Sequence, residues 1–325
     1  MDQLALILRE DYGLTLHSAA HIDYGIWEES FRIETDRGRF FAKRFLRKSR
    51  QTEAMLRGIQ TSQQLREQGF PAPMVIPTRS GALLLETGGK RYQVTEWAEG
   101  RSYHPGELPL EAVAPMGALL GRLHRLLGPA EVPPAPPLPS PAEALRECQA
   151  LLERYDYRPE PFAAVAREVL EGQIALLARL PAGLSADLPR PRLGGRVFNS
   201  FWVEQLLFRP DGSVSALVDW TDGAGRPGHW CGDLELAIHL SAFDLPTACR
   251  FLEAYWSENP LPGQELVALA AELCYGYLAS TNFLSGWFAR PYRRMADWEA
   301  TAALWHRQIV PRFLAWKDWE SALVG

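Results

Sequence analysis

The stretch EQLLFRPDGSVSALVDW, residues 204–220, decides the fold class of this chain. The apolar run Leu206–Phe208 is followed by Arg-Pro-Asp-Gly, which is typical of a tight turn, and then by a second run that ends at Asp219. This pattern predicts a strand, a turn and a returning strand.

The hundred residues at the start of the chain show the period-two pattern of strands. Residues 31–35 and 39–45 flank an Asp-Arg-Gly turn and predict a hairpin, since glycine readily adopts the positive φ that such turns require. A polar helix is predicted over 51–68, where Gly and Pro follow. Two further strands, 82–86 and 91–97, are joined by a Gly-Gly turn.

The later part of the chain has the apolar period of helices. Met116–Leu127 carries its leucines on one face, and residues 142–180 and those after Asp233 predict further helices. We therefore predict an α+β protein with two domains, a strand-rich domain 1–98 and a larger helical domain 99–325.

Composition and charge exclude several classes of protein. The 325 residues are 47% hydrophobic and 22% charged with a net charge of −5, which is typical of a globular protein rather than a disordered or fibrous one. An acidic balance disfavours nucleic acid as a partner. The longest uncharged run, 273–289, contains polar and small residues and predicts a buried helix, and neither a membrane span nor a secretory signal is expected. Four scattered cysteines favour a reducing cytoplasm.

In this order the features resemble the protein-kinase-like fold over residues 15–320. The resemblance is closest to aminoglycoside phosphotransferases and choline kinases, near their spore-coat kinase-like relatives. Residues 92–100 are similar to that family's last sheet strand and hinge, 117–124 to the following helix, and 215–220 to the strand that ends in the metal-binding aspartate. Asp233 matches a later bracing aspartate. The resemblance implies two lobes, a small antiparallel-sheet lobe with one helix and a mainly helical lobe.

The resemblance also implies ATP as a cofactor. Gly25 would lie where the first hairpin passes over the phosphates, and Lys43 would bind the α- and β-phosphates. The small Ala42 would leave space for adenine. Glu28 replaces an asparagine that recurs in this hairpin, and the adjacent carboxylates of Glu28 and Glu29 would repel a triphosphate.

The hinge and the helix supply the remaining expected nucleotide contacts. Backbone groups of Glu96 and Ala98 would bond the adenine edge, with Trp97 between them. In the family the lysine usually pairs with a helix glutamate. The candidates here are Glu53 and Glu67, of which we favour Glu53.

The catalytic loop departs from the family pattern of His-Gly-Asp, four residues and Asn, in which the Asp takes the acceptor proton and the Asn holds metal. The strand Leu206–Phe208 aligns Gln205 with that Asn and Ser200 with that Asp. A second register, which uses Asn199 as the metal ligand, puts Gly194 at the base position. Neither register supplies a carboxylate, and serine does not accept a proton near neutral pH.

Two functions remain open from the sequence. The first is ATP-dependent phosphoryl transfer to the hydroxyl of an unknown small molecule, with Asp219 and Gln205 as Mg²⁺ ligands. The second is a catalytically impaired pseudokinase that binds nucleotide or serves as a scaffold for a protein partner. Glu204 is the nearby carboxylate that would have to substitute for the missing base. The late aromatic residues, 273–320, favour core packing over a cage for a quaternary ammonium acceptor.

Overall fold

The computed structural model describes residues 2–22, 28–46, 51–154, 161–289 and 296–324. The chain forms two compact units. The first unit consists of Met1–Ser102, Phe198–Ser200 and Gln205–Arg226, and the second consists of Tyr103–Val197, Phe201–Glu204 and Pro227–Gly325. The units therefore differ from the predicted domains 1–98 and 99–325, because two segments after residue 197 join the first unit.

Strands and helices are distributed unevenly between the two units. The strands are β1 (Leu16–Ile22), β2 (Glu28–Thr35), β3 (Gly38–Phe45), β4 (Val75–Ile76), β5 (Leu85–Thr87), β6 (Lys90–Glu96), β7 (Gly194–Val197), β8 (Leu206–Phe208), β9 (Val214–Leu217) and β10 (Arg226–His229). The α-helices are α1 (Asp2–Ile7), α2 (Thr52–Glu67), α3 (Leu110–Leu127), α4 (Pro141–Arg154), α5 (Pro161–Leu177), α6 (Leu184–Asp187), α7 (Trp230–Leu240), α8 (Leu245–Glu258), α9 (Gly263–Ala271), α10 (Asn282–Ala289), α11 (Ala296–Arg307), α12 (Ile309–Leu314) and α13 (Trp316–Val324). The π-helical turns Leu8–Tyr12 and Glu272–Gly276 extend α1 and α9.

The first unit is built on an antiparallel sheet of six strands in the order β1-β2-β3-β6-β4, with β5 also paired to β6. The predicted hairpin is present as β2 and β3, whose register pairs Thr35 with Gly38 and Glu28 with Phe45. Gly38 has φ +108°, a conformation that disfavours residues with a Cβ, so the turn requires glycine there.

The two faces of this sheet are covered by different helices. One face packs against α1 and the π-helical turn after it in an apolar cluster whose buried members include Leu4, Leu8, Tyr12, Ile33 and Val94. The other face packs against α2 in a second cluster that contains Phe45, Met55, Ile59, Val75 and Leu84. Each helix buries one apolar stripe on the sheet, as an amphipathic helix must.

A short hairpin, β8 and β9, also belongs to the first unit. Gly212 in its turn has φ +82°, and the Asp211 carboxylate accepts a 2.9 Å bond from the backbone N–H of Ser213. Directly after β9, the indole of Trp220 makes edge-to-face contacts with Phe198 at 4.9 Å and Phe70 at 6.0 Å between ring centroids. These aromatic contacts fix the end of the hairpin within the unit.

The second unit is mainly helical. Helices α3 and α8 approach closely because Gly117 and Gly121 present no side chain. A Cβ on Gly117 would lie 2.1 Å from the carbonyl oxygen of Phe251. The buried His124 of α3 bonds Asp233 Oδ2 at 3.0 Å and the hydroxyl of Tyr255 at 2.9 Å. These bonds tie α3, α7 and α8 together.

The predicted fold class is confirmed: the first unit carries an antiparallel sheet, and most helices lie in the second. The structure adds α1, which the sequence analysis did not predict. The expected buried helix over 273–289 is interrupted near Thr281, although Leu273, Cys274 and Tyr275 are buried as expected. Within the described ranges, no helix is both long and apolar enough to cross a membrane.

Candidate functional site

Asp219 follows β9 in a left-handed backbone conformation with φ +60°. The strand before it is held in place by hydrogen bonds from Leu217 N to Pro71 O at 2.8 Å and from Val218 N to Gln205 O at 2.9 Å. Thr221 Oγ1 lies 3.1 Å from Asp219 Oδ1. A non-glycine residue in this conformation is held by its surroundings, so the carboxylate is fixed at the end of the hairpin.

Lys43 connects two acidic side chains in the first unit. Its Nζ lies 2.9 Å from Asp219 Oδ1 and 3.0 Å from Glu28 Oε1. The side chains of Lys43, Glu28 and Asp219 are only 9%, 8% and 15% exposed. Burial would lower the pKa of Lys43, but the attraction of Asp219 and Glu28 outweighs it, and the net effect raises that pKa. The ammonium is therefore charged at neutral pH.

Glu28, rather than a helix glutamate, is the second partner of Lys43. Glu53, the favoured candidate, is an exposed residue in the first turn of α2, and Glu67 is exposed at its end. Gly58 accounts for the absence of a glutamate from the middle of α2. A Cβ at this position would lie 1.8 Å from the carbonyl oxygen of Trp220, so the middle of α2 approaches the Asp219 segment without a side chain.

Ala42 does not share a face with Lys43. Side chains alternate along a strand, and Ala42, which is 2% exposed, packs into the cluster with Leu8 on the α1 side of the sheet. This differs from the expectation that Ala42 leaves space for adenine. Along β3, the residues that share the face of Lys43 are Arg39, Phe41 and Phe45, all of which have large side chains.

Gly25 lies outside the described residues, but the hinge is described. The Glu96 carboxylate accepts bonds from Arg66 Nη1 at 2.6 Å and from Met74 N at 2.9 Å, which anchors the end of β6. Trp97 Nε1 is buried without a hydrogen-bond partner among the described residues. The backbone of Ala98 likewise makes no hydrogen bond within the described part of the chain.

The predicted base position is occupied by a buried hydroxyl. Ser200 is 1% exposed, and its Oγ has no hydrogen-bond partner among the described residues. Asn199, before it, has φ +68°, a conformation that glycine and asparagine adopt most easily. Gln205 is 8% exposed, next to the start of β8.

Glu204 belongs to the second unit and is already engaged. Its Oε1 lies 3.1 Å from His104 Nδ1, and its Oε2 accepts a 3.3 Å bond from Trp202 Nε1. His104 is a residue that the sequence analysis missed, because it lies 100 positions from Glu204 and no local pattern joins them.

The Lys43, Glu28 and Asp219 cluster fits a phosphate-bound divalent cation. Carboxylate oxygens are the ligands that Mg²⁺ prefers, and Glu28 Oε2 is buried with no hydrogen-bond partner among the described residues. No group of three or more His, Cys, Asp or Glu side chains that could hold a metal is found in the described ranges. A cation here would therefore also use amide, hydroxyl, phosphate or water oxygens.

Comparison with known proteins identifies the family. The phosphotransferase enzyme family (APH) matches residues 25–265 of the chain. No curated protein matches the chain in sequence.

Three solved structures share the fold. An amicoumacin kinase in complex with AMP-PNP, Ca²⁺ and Ami superposes with a TM-score of 0.61 at 16% identity, over 95% of this chain and 93% of that one. A spectinomycin phosphotransferase in complex with ADP and spectinomycin gives 0.63 at 15% identity, over 97% and 98%. A microcompartment-associated aminopropanol kinase gives 0.59 at 15% identity, over 99% and 98%. At these identities the likeness concerns the fold, and together with the family match it shows that the chain belongs to the phosphotransferase enzyme family.

Proposed function

We propose that this chain is a nucleotide-binding member of its family that binds ATP and Mg²⁺ but is impaired in phosphoryl transfer, as a pseudokinase is. The observation that carries this proposal is the buried hydroxyl of Ser200, which has no hydrogen-bond partner among the described residues. In the register set by the strand Leu206–Phe208, Ser200 takes the position of the family's proton-accepting aspartate. The same segment has Gln205 where the family has a metal-binding asparagine. The position near the spore-coat kinase-like branch is part of this proposal.

The residues that would bind nucleotide are retained in part. Lys43 is charged and would hold the α- and β-phosphates, and Asp219 with Gln205 would supply oxygen ligands to the cation. When bound, Mg²⁺ would neutralise negative charge on the phosphates. The backbone of Ala98, which follows Glu96 and Trp97 in the hinge, would form hydrogen bonds with the edge of the adenine base.

The transfer step would lack its general base. Proton removal by a positioned side chain typically contributes about 10²–10⁴-fold to a rate. Ser200 cannot supply it near neutral pH, and Glu204 already accepts hydrogen bonds from His104 and Trp202. We therefore expect nucleotide binding without appreciable transfer.

The second candidate function is ATP-dependent phosphorylation of a small-molecule hydroxyl. The 2.9 Å contact between Lys43 and Asp219 favours it, since phosphoryl transfer is catalysed largely by positioning and charge neutralisation. The solved neighbours include kinases of spectinomycin and aminopropanol, so the acceptor would be a small molecule. In the pseudokinase case the partner would instead be a protein.

We also propose a cytoplasmic location. The four cysteines, Cys148, Cys231, Cys249 and Cys274, are all free thiols in the structure. Free thiols are typical of reducing compartments.

A melting experiment tests nucleotide binding. We expect ATP with Mg²⁺ to raise the melting temperature, because a ligand at 100 times its Kd stabilises the folded state by about 2.7 kcal/mol. Asp219→Asn should remove the rise, and Asp187→Asn, which changes an exposed aspartate of α6, should keep it. If the wild type shows no rise at saturating ATP, the chain is a scaffold that does not bind nucleotide.

A further inference from the structure

One carboxylate oxygen of Glu28, Oε2, has no role in the nucleotide-binding arrangement proposed above. Its other oxygen, Oε1, bonds Lys43 at 3.0 Å, and the side chain is 8% exposed. Oε2 itself is buried and has no hydrogen-bond partner among the described residues. A buried carboxylate oxygen without a partner is costly, so its retention calls for a ligand.

Three charged side chains that the structure describes, Lys43, Glu28 and Asp219, meet at this site. Lys43 contributes one positive formal charge, and Glu28 and Asp219 contribute two negative ones, so these three mostly buried side chains together carry −1. Ser30 and Gln93 lie opposite Lys43 on the neighbouring strands and are neutral. One divalent cation would turn the net charge of this cluster to +1.

We propose that Glu28, through Oε2, and Asp219 bind a divalent cation before any nucleotide is present. The ligand class is a hard cation such as Mg²⁺ or Mn²⁺, because the donors are carboxylate oxygens and the described cluster contains neither His nor Cys. This inference rests on the proposed role of Asp219 as a metal ligand and adds Glu28 to that site.

Cation binding at Glu28 explains how a glutamate is compatible with a phosphate site. Without the cation, the negative cluster repels a triphosphate and keeps Lys43 paired. With the cation, the same cluster becomes positive and attracts it. Nucleotide affinity then depends on prior occupation of the Glu28 and Asp219 site.

The neighbouring Glu29 provides a matched control. It is the adjacent residue of β2, so its side chain is on the opposite face of the strand, where it forms an ion pair with Arg44. Glu29→Gln and Glu28→Gln therefore remove the same charge one position apart, but only the second removes the unpartnered oxygen beside Lys43.

The test is a titration of the nucleotide-free protein with Mn²⁺, followed by electron paramagnetic resonance of the unbound ion. We expect one site in the wild type, an affinity at least tenfold weaker in Glu28→Gln and in Asp219→Asn, and an affinity within twofold of the wild type in Glu29→Gln. Melting curves without metal establish that each variant is folded.

Two results would overturn the proposal. One is a wild-type protein that binds no Mn²⁺ without nucleotide, a measurement that requires no variant to fold. The other is equal Mn²⁺ affinity in Glu28→Gln and Glu29→Gln. Both Mn²⁺ measurements are made without ATP, so they do not depend on whether the protein binds nucleotide. Failure of nucleotide binding is detected separately, as a missing rise in melting temperature with ATP.

Discussion

Gly58 of α2 lies against the carbonyl oxygen of Trp220, and a Cβ on this glycine would be 1.8 Å from that oxygen. The contact joins the middle of the helix to the residue that follows Asp219. A side chain as large as glutamate does not fit at this point of the helix, and the carboxylate of Glu28 on the neighbouring strand pairs with Lys43.

Gly58→Ala should therefore separate α2 from the Asp219 segment. Overpacking of this kind costs about 1–3 kcal/mol, and we expect the free energy of unfolding to fall by that amount in denaturant titrations. The same titrations on Gly286→Ala provide the control, because a Cβ there meets no atom of the described residues within 4 Å. That substitution should stabilise α10 by about 0.5–1 kcal/mol. Equal destabilisation by both variants would contradict the close contact.

Ser200→Ala should be tolerated. The variant removes a buried hydroxyl without a partner among the described residues, so we expect unfolding free energy unchanged or raised by up to about 1 kcal/mol. The rise in melting temperature with ATP and Mg²⁺ should also be unchanged, since the serine is not a metal ligand in our account. Loss of that rise in a folded Ser200→Ala protein would show that the hydroxyl binds nucleotide or metal.

Glu235 of the second unit predicts a pH dependence of stability. Burial, together with repulsion from Glu272, raises its pKa to about 8, although Arg190 opposes the shift. Arg190 itself pairs with Glu272 at 2.6 Å. Tyr277 also lies within electrostatic range of Glu235.

The raised pKa fixes the sign of the effect. The folded state keeps the Glu235 proton up to about pH 8, whereas the unfolded chain loses it near the ordinary pKa of a glutamate. The contribution of this proton to the free energy of unfolding is therefore complete at low pH and is lost as pH rises toward 8. Its slope is at most about 1.4 kcal/mol per pH unit.

Denaturant titrations from pH 5 to 8 measure the contribution of Glu235. As pH rises, the free energy of unfolding of the wild type should fall relative to that of Glu235→Gln. His239 and His306, whose pKa values burial lowers, are present in both proteins and largely cancel. A pH-independent difference would mean that Glu235 is ionised in the folded state.

The buried bond between His124 and Asp233 should be a major source of stability in the second unit. His124 is 0% and Asp233 1% exposed at the side chain, and removing one partner of such a pair typically costs about 3–5 kcal/mol. We expect His124→Ala to lower the free energy of unfolding by that amount. His17→Ala, at an exposed position of β1, should change it by less than about 0.5 kcal/mol. Similar small effects of both variants would contradict a structural role for the pair.

Much of the fold could be predicted because its elements have strong local patterns. The β2–β3 hairpin has alternating residues around a glycine turn, and α2 ends where Gly and Pro occur. The β8–β9 hairpin has its turn residues between two apolar runs. Helix α1 was not predicted, although Leu4 in α1 and Leu8 and Tyr12 in the π-helical turn after it follow one another at helical spacing.

The site was harder to predict because its contacts depend on strand faces and on packing. Alternation along β3 puts Ala42 on the face opposite Lys43, a consequence that the motif alone does not show. The pairing of Lys43 with Glu28 joins two strands, and the close approach of α2 to Trp220 occurs at Gly58; neither contact has a local sequence pattern. The roles of Ser200 and Gln205 remain predictions.

The most direct test of the central claim is transfer of the γ-phosphate of labelled ATP to water and to a panel of small-molecule hydroxyl acceptors. We expect no transfer above the protein-free blank for the wild type, and transfer at least tenfold above that blank when Ser200→Asp is combined with Gln205→Asn. Robust wild-type transfer that Asp219→Ala abolishes and Ser200→Ala leaves intact would contradict this claim.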